Sequence, residues 1–146
     1  MITPENGVMP AIRFSDRHED LDFATIHAWL ASTYLSPGIS RQLVEQGFAN
    51  SRLVMAAYVG AMQIAVGRAL TDTTRFGYVL DVFVAAEWRG RGIARTLVSR
   101  LIGHADATEV KRWVLGTRDA HEVYRPLGFT PLVHPERWME RLSPTR

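Results

Sequence analysis

Three arginines and two glycines stand within seven residues, Arg89-Gly90-Arg91-Gly92-Ile93-Ala94-Arg95. An apolar, β-rich run from Tyr78 to Val84 precedes them. An amphipathic helical pattern follows, with Ile93, Leu97 and Leu101 at i, i+4 and i+8 and Val98 and Ile102 beside them. Strand, glycine-rich loop and helix in that order make an anion site. Glycine lets backbone N–H groups approach a ligand closely, and the first turn of a helix leaves its N–H groups without internal partners. The helix dipole adds partial positive charge at the same point. The stretch therefore reads as a cradle for a phosphate-bearing ligand. The plain alternative is an ordinary strand-to-helix turn, which has no need of two glycines flanked by three arginines.

Four other places carry titratable groups. Asp81 is an acid inside the apolar strand; it is either a proton acceptor or a hydrogen-bonded residue on the polar face of a sheet. Tyr124 lies on an apolar helical face with Ala120, Val123 and Leu127. Composition alone makes it a core tyrosine. His121, one turn earlier, titrates in the range useful for proton transfer but is equally at home on a surface. His18-Glu19-Asp20 offers ligand-type side chains, yet three adjacent positions at a helix start more often cap the helix or face solvent.

The elements that must position these residues follow from periodicity and turn chemistry. Ala11 to Phe14 alternates as a short strand after a loose start over residues 1–9. Leu21, Phe23, Ile26, Trp29 and Leu30 predict a helix from Asp20 to Ser32. Pro37-Gly38 marks a loop, and Ser40 caps a second helix that ends near Gly47. Arg52 to Val59 and Met62 to Leu70 pair as a hairpin around Gly60-Ala61. The strand from Phe76 and the helix to His104 come next, then a strand from Arg112 to Thr117. A helix from Asp119 to Leu127 is broken by Pro126 and closed by Gly128. Phe129 to Val133, interrupted by Pro131, and Trp138 to Leu142 are the last strand candidates. No repeat, linker or low-complexity tract appears, so the 146 residues predict one α/β domain over residues 1–146.

Totals remove several functions. Hydrophobic content of 47% and charged content of 22% are those of a soluble globular chain. A net charge of +2 with scattered arginines gives no basic stripe for nucleic acid. The chain has no cysteine, which excludes disulfides, thiolate metal sites and a cysteine nucleophile and fits a reducing compartment. No apolar run approaches the roughly 20 residues of a membrane helix, and Met1 to Pro10 lacks the pattern of a signal peptide, so the expected location is the cytoplasm. A nucleotide P-loop, a dinucleotide fingerprint, a serine elbow and a zinc-protease helix are all missing.

Arg89-x-x-Gly92-x-Ala94 has the form [Q/R]-x-x-G-x-[G/A], and about 30 residues downstream stands Ala120-x-x-x-Tyr124-Arg125-Pro126-Leu127-Gly128-Phe129. With both signatures in this order and spacing, the chain resembles the GNAT N-acetyltransferase superfamily from about residue 10 to the end. The Thr117-Arg118-Asp119-Ala120-His121 segment resembles that of a group of small bacterial members. The resemblance implies an α/β (α+β) fold with a mixed, mostly antiparallel central sheet of about six or seven strands flanked by helices, splayed between the fourth and fifth strands. It implies acetyl-CoA as co-substrate and no metal. Val82, Phe83 and Val84 would lie along the pantetheine arm. Arg89, Gly90, Arg91, Gly92, Ile93, Ala94 and Arg95 would hold the pyrophosphate.

The resemblance also implies catalytic roles. Tyr124 occupies the place of the general acid. A thiol pKa of about 8.5 and a phenol pKa of about 10 are near enough for a positioned tyrosine to protonate a departing thiolate. Asp81 occupies a strand where acids can serve as base, directly or through water. The asparagine that many members carry shortly before the tyrosine is missing from residues 117–121, and Asp119 stands there as a helix cap instead. The acceptor would be a small-molecule amine or a protein amino group, shaped by residues 29–39 and 71–75, with Trp29 and Tyr34 as aromatic wall or core. The expected activity is direct acetyl transfer to a primary amine. The competing reading is an acyl-CoA-binding sensor or interaction module without catalysis. Neither nucleic acid nor membrane is an expected partner; a second copy of the chain, forming a homodimer, is.

Overall fold

A computed structural model describes residues 10–144. The loose start expected over residues 1–9 lies outside the described residues. Five strands form one sheet in sequential order: β1 (Arg13–Ser15), β2 (Leu53–Val59), β3 (Met62–Thr71), β4 (Phe76–Val84) and β5 (Arg112–Leu115). Neighbours from β1 to β4 are antiparallel, and β5 runs parallel to β4. Helices α1 (Phe23–Ala31) and α2 (Arg41–Ala49) cover one face. Helix α3 (Ile93–Ile102) covers the other.

Both covered faces are legible in β2, which is buried at every position. Leu53, Met55, Ala57 and Val59 join the core under α3, while Val54, Ala56 and Tyr58 join the core under α1 and α2. Period-2 alternation thus distributes apolar side chains to two cores. Helix α3 buries Ile93, Leu97, Val98 and Leu101, the stripe its sequence predicts. Asp22 and Ser40 cap α1 and α2 by accepting from Thr25 N and Leu43 N.

The structure corrects the C-terminal end. Neither Phe129 to Val133 nor Trp138 to Leu142 is a strand, so the sheet has five strands among the described residues and not six or seven. Pro131 and Pro135 remove two donors that a ladder would use, and Pro135–Arg137 instead forms a short 3-10 turn. The helix expected from Asp119 to Leu127 is one turn, α4 (His121–Tyr124), followed by a 3-10 turn over Arg125–Leu127. Pro126 sits in that turn and Gly128, at φ +93, ends it. Asp119 does not cap α4; the Thr117 hydroxyl accepts from Ala120 N at 3.0 Å.

Two features open the sheet. Pairing of β4 with β5 runs from Phe76–Arg112 only to Val79–Leu115, so the strands part beyond that point. Just past it, β4 carries a bulge. Val66 faces Phe83 and Arg68 faces Leu80, which leaves Asp81 and Val82 opposite the single residue Gly67. Gly67 is required there, because a Cβ would come within 2.6 Å of Leu97 Cδ2.

Candidate active site

The glycine-rich turn stands at the head of α3. Gly90 and Gly92 have φ +78 and +77, the left-handed region that favours glycine. Gly92 is the N-cap of α3 and has no side chain with which to satisfy the first-turn N–H groups. A Cβ at either glycine would meet nothing within 4 Å. The backbone therefore faces open space, as an anion cradle needs.

The space is a cleft of about 840 Å³ at the end of β4, closed by the segments that follow α1 and β5. On one side are Val82, Phe83 and Val84 and the turn from Arg89 to Arg95. Every residue expected to bind the cofactor lines it except Arg91. Arg91 lies along the loop, donating to Glu87 O at 3.3 Å with its guanidinium 4.7 Å from the Trp88 ring centroid. Arg89 fastens the turn to its strand, donating to Val84 O at 2.9 Å and lying over the Phe83 ring. Trp88, also on the wall, is 2% exposed, and its indole N–H is buried with no hydrogen-bond partner among the described residues. A buried donor left unmade costs on the order of 1–3 kcal/mol, which a fold tolerates at a ligand site more readily than in a core.

The facing wall comes from two loops distant in sequence. Thr33, Tyr34 and Leu35 follow α1, and Arg118 to Tyr124 follow β5. The Arg118 guanidinium sits 3.9 Å from the Tyr34 ring centroid and joins the two loops. Arg118 had no signal in the sequence beyond its place in the 117–121 segment, because its partner is 84 positions away. Of the two aromatic wall candidates, Tyr34 lines the cleft and Trp29 does not. Trp29 stacks on Phe83 at 4.9 Å, in the core under α1.

Tyr124 reaches the cleft from α4. It is 8% exposed and packs edge-on against Phe129, with ring centroids 6.0 Å apart. Burial, with the nearby Tyr34 phenol adding to it, pushes the Tyr124 hydroxyl up to about 12. The group is therefore protonated throughout the physiological range and available only as a donor. His121 is exposed and outside the cleft lining.

Asp81 is not among the cleft-lining residues. It occupies the bulge at φ +56, and its Oδ2 accepts from Arg68 Nε at 2.8 Å. His18, Glu19 and Asp20 form a 3-10 turn, with His18 Nε2 3.0 Å from Ser51 O and Asp20 accepting from Ser15 Oγ. No helix of the described residues is long and apolar enough to cross a membrane.

Comparison with known proteins finds the same fold. The model of the acetyltransferase (GNAT) family matches residues 13–129. A Xanthomonas campestris pv. campestris protein, described as belonging to the GNAT acetyltransferase family, is 36% identical over 94% of this chain and 96% of its own, with a TM-score of 0.87. A Clostridium acetobutylicum protein, classed as an acetyltransferase by prediction and solved with acetyl-CoA, shares the fold at a TM-score of 0.70 and 20% identity, covering 92% of this chain and 96% of its own. A Staphylococcus aureus protein shares it at a TM-score of 0.73 and 15% identity, covering 91% and 99%. The curated proteins contain no match. With its motifs, its splayed sheet and these likenesses together, the chain belongs to the GNAT acetyltransferase family.

Proposed function

We propose that the chain transfers an acetyl group directly from acetyl-CoA to a primary amine. One observation carries this reading. The cleft at the end of β4 is lined at one time by the glycine turn, which can cradle a pyrophosphate, and by Tyr124, whose hydroxyl stays protonated. Bound acetyl-CoA would supply the activated thioester. The first-turn N–H groups of α3, with Arg89 and Arg95 beside them, would hold the pyrophosphate. The backbone of Val82 to Val84, already parted from β5, would pair with the pantetheine arm. As the amine nitrogen forms its bond to the acyl carbon and the bond to sulfur breaks, Tyr124 would give its proton to the departing thiolate. The surplus proton of the attacking amine would restore the phenol by way of solvent. Most of the acceleration would come from holding both substrates in line.

Asp81 stands on the bulge beside this path, and two roles fit the position: base through water, or support for the strand. Its ion pair with Arg68 favours the second. The acceptor would enter past Tyr34 and Arg118. The cysteine-free composition supports a reducing compartment, the cytoplasm, as the place of reaction. A homodimer is supported by the end of the sheet around β5. Its outer edge pairs with no strand among the described residues, and Phe76 and Trp138 meet there at 6.4 Å with Val133 exposed beside Val114. Gel filtration at two concentrations reads the oligomeric state.

The functional test is a screen of amines that follows free CoA release, run beside calorimetry with acetyl-CoA. Release with at least one amine is expected. Binding of acetyl-CoA without release to any amine would replace this reading with a binding module on the same fold; no binding would remove both.

A further inference from the structure

Asp81 adopts a backbone conformation that suits it poorly. The first residue of such a bulge, in the left-handed region, is ordinarily glycine. Here it is an aspartate at φ +56, a position an L-residue holds only when its surroundings insist. The surroundings are identifiable. Arg68, on the neighbouring strand, donates from Nε to Asp81 Oδ2 at 2.8 Å. The same guanidinium donates from Nη1 to Ser51 Oγ at 3.0 Å and to Gly47 O at 3.3 Å, and lies over the Phe48 ring. Both charged side chains are largely out of solvent, at 16% and 13% exposure. Ser51 is itself buried; its Oγ donates to Gly47 O at 2.8 Å and its carbonyl oxygen lies 3.0 Å from His18 Nε2. The bulge of β4 is thus tied through Arg68 to the C-terminal end of α2.

What the bulge accomplishes follows from the period of a strand. One extra residue flips every side chain beyond it to the opposite face. With the bulge in place, Phe83 turns toward α1 and stacks on Trp29, while Val84 turns into the core under α3. Without it, these faces exchange and the strand segment that lines the cleft no longer fits either core. The bulge also bends β4, and it stands two residues beyond the last β4–β5 pair, Val79 with Leu115.

We propose that Arg68 and Asp81 are positioning residues for the acyl donor: their ion pair locks the bulge that aligns Val82 to Val84 along the cleft. On this assignment Asp81 acts through the backbone it holds and takes no proton from the substrate. The inference rests on the acetyl-CoA reading of the cleft.

The test is a series at Asp81 with acetyl-CoA as the titrant, read by calorimetry, with kcat, KM and the pH profile of kcat/KM measured on an acceptor found by the screen. Asp81→Asn tolerates the left-handed region and still accepts from Arg68 Nε, so its acetyl-CoA Kd should rise no more than about threefold. Asp81→Ala has neither property, and its Kd should rise about tenfold or more. Asp81→Gly, which adopts the bulge freely, should recover much of what alanine loses. Arg68→Met should resemble Asp81→Ala in Kd. Thermal melts accompany each variant, and the glycine variant keeps the series decisive should Arg68→Met not fold. The acidic limb of kcat/KM should be the same for Asp81→Asn as for the wild type. Equal acetyl-CoA affinity in all variants, with turnover lost in Asp81→Asn and Asp81→Gly alike and the acidic limb gone, would overturn the assignment and make Asp81 the base. Failure of the wild type itself to bind acetyl-CoA would instead remove the reading of the cleft beneath it.

Discussion

Tyr124→Phe removes one oxygen and leaves the ring. The ring keeps its edge-on contact with Phe129 and its place at 8% exposure. The hydroxyl makes no hydrogen bond to any described residue, so its loss should change stability by less than about 1 kcal/mol. The effect on turnover can be worked from the phenol's environment. Burial raises it to about 12, and a thiol titrates near 8.5. The gap of about 3.5 units corresponds to roughly 5 kcal/mol for complete transfer to a free thiolate. The proton is therefore only partly moved when the bond to sulfur breaks, and the contribution belongs at the low end of the general-acid range, about a hundredfold in kcat. Acetyl-CoA affinity should stay within about threefold, since the variant keeps the ring in the cleft wall and leaves the glycine turn unchanged. The assay is CoA release at saturating acceptor, with calorimetry for the donor. Because Tyr124 stays protonated to about 12, the wild type should show no alkaline limb from it below about pH 11. A variant with kcat within twofold of wild type would remove Tyr124 as the acid. An alkaline limb near pH 10 that disappears in the variant would refute the effect assigned to burial.

Gly92→Val places a β-branched residue at φ +77 in otherwise open space, so the turn must move rather than its neighbours; acetyl-CoA affinity should fall more than about 30-fold while the melting temperature drops only a few degrees. Normal affinity by calorimetry would refute the cradle. Gly67→Ala drives a methyl to within 2.6 Å of Leu97 Cδ2, and overpacking of about 1–3 kcal/mol should appear as a lower urea midpoint; an unchanged midpoint would mean α3 is free to shift. Tyr58 and Tyr124 are both raised to about 12, chiefly by burial, above the value near 10 that they take when unfolded. Their contribution to stability is whole below pH 10 and is lost as pH rises from 10 toward 12. Denaturation midpoints at pH 8, 10 and 11.5 check this, and a flat profile would contradict it.

The sequence by itself determined what neighbours along the chain can enforce. Positive φ at Gly90 and Gly92, the buried stripe of α3, the caps at Asp22 and Ser40 and the hairpin of β2 and β3 are all local consequences of residue type and spacing. The glycine turn at the head of α3 was legible for that reason, and so was the place of Tyr124 on a helical turn ending in Gly128. Tertiary structure decided what depends on partners far apart. Arg68 and Asp81 are 13 positions apart on different strands, and only their pairing shows that an acid inside an apolar strand is holding a bulge. Tyr34 and Arg118, 84 positions apart, meet on the same wall of the cleft. Arg91, indistinguishable in sequence from Arg89 and Arg95, turns onto Trp88 instead of the cleft. The residues after Phe129 have a strand's composition but no ladder, because prolines withhold the donors and no neighbouring described strand supplies an edge. Local rules set backbone conformation within a few residues; which face a side chain takes, and what it meets there, is set by register and packing over the whole sheet.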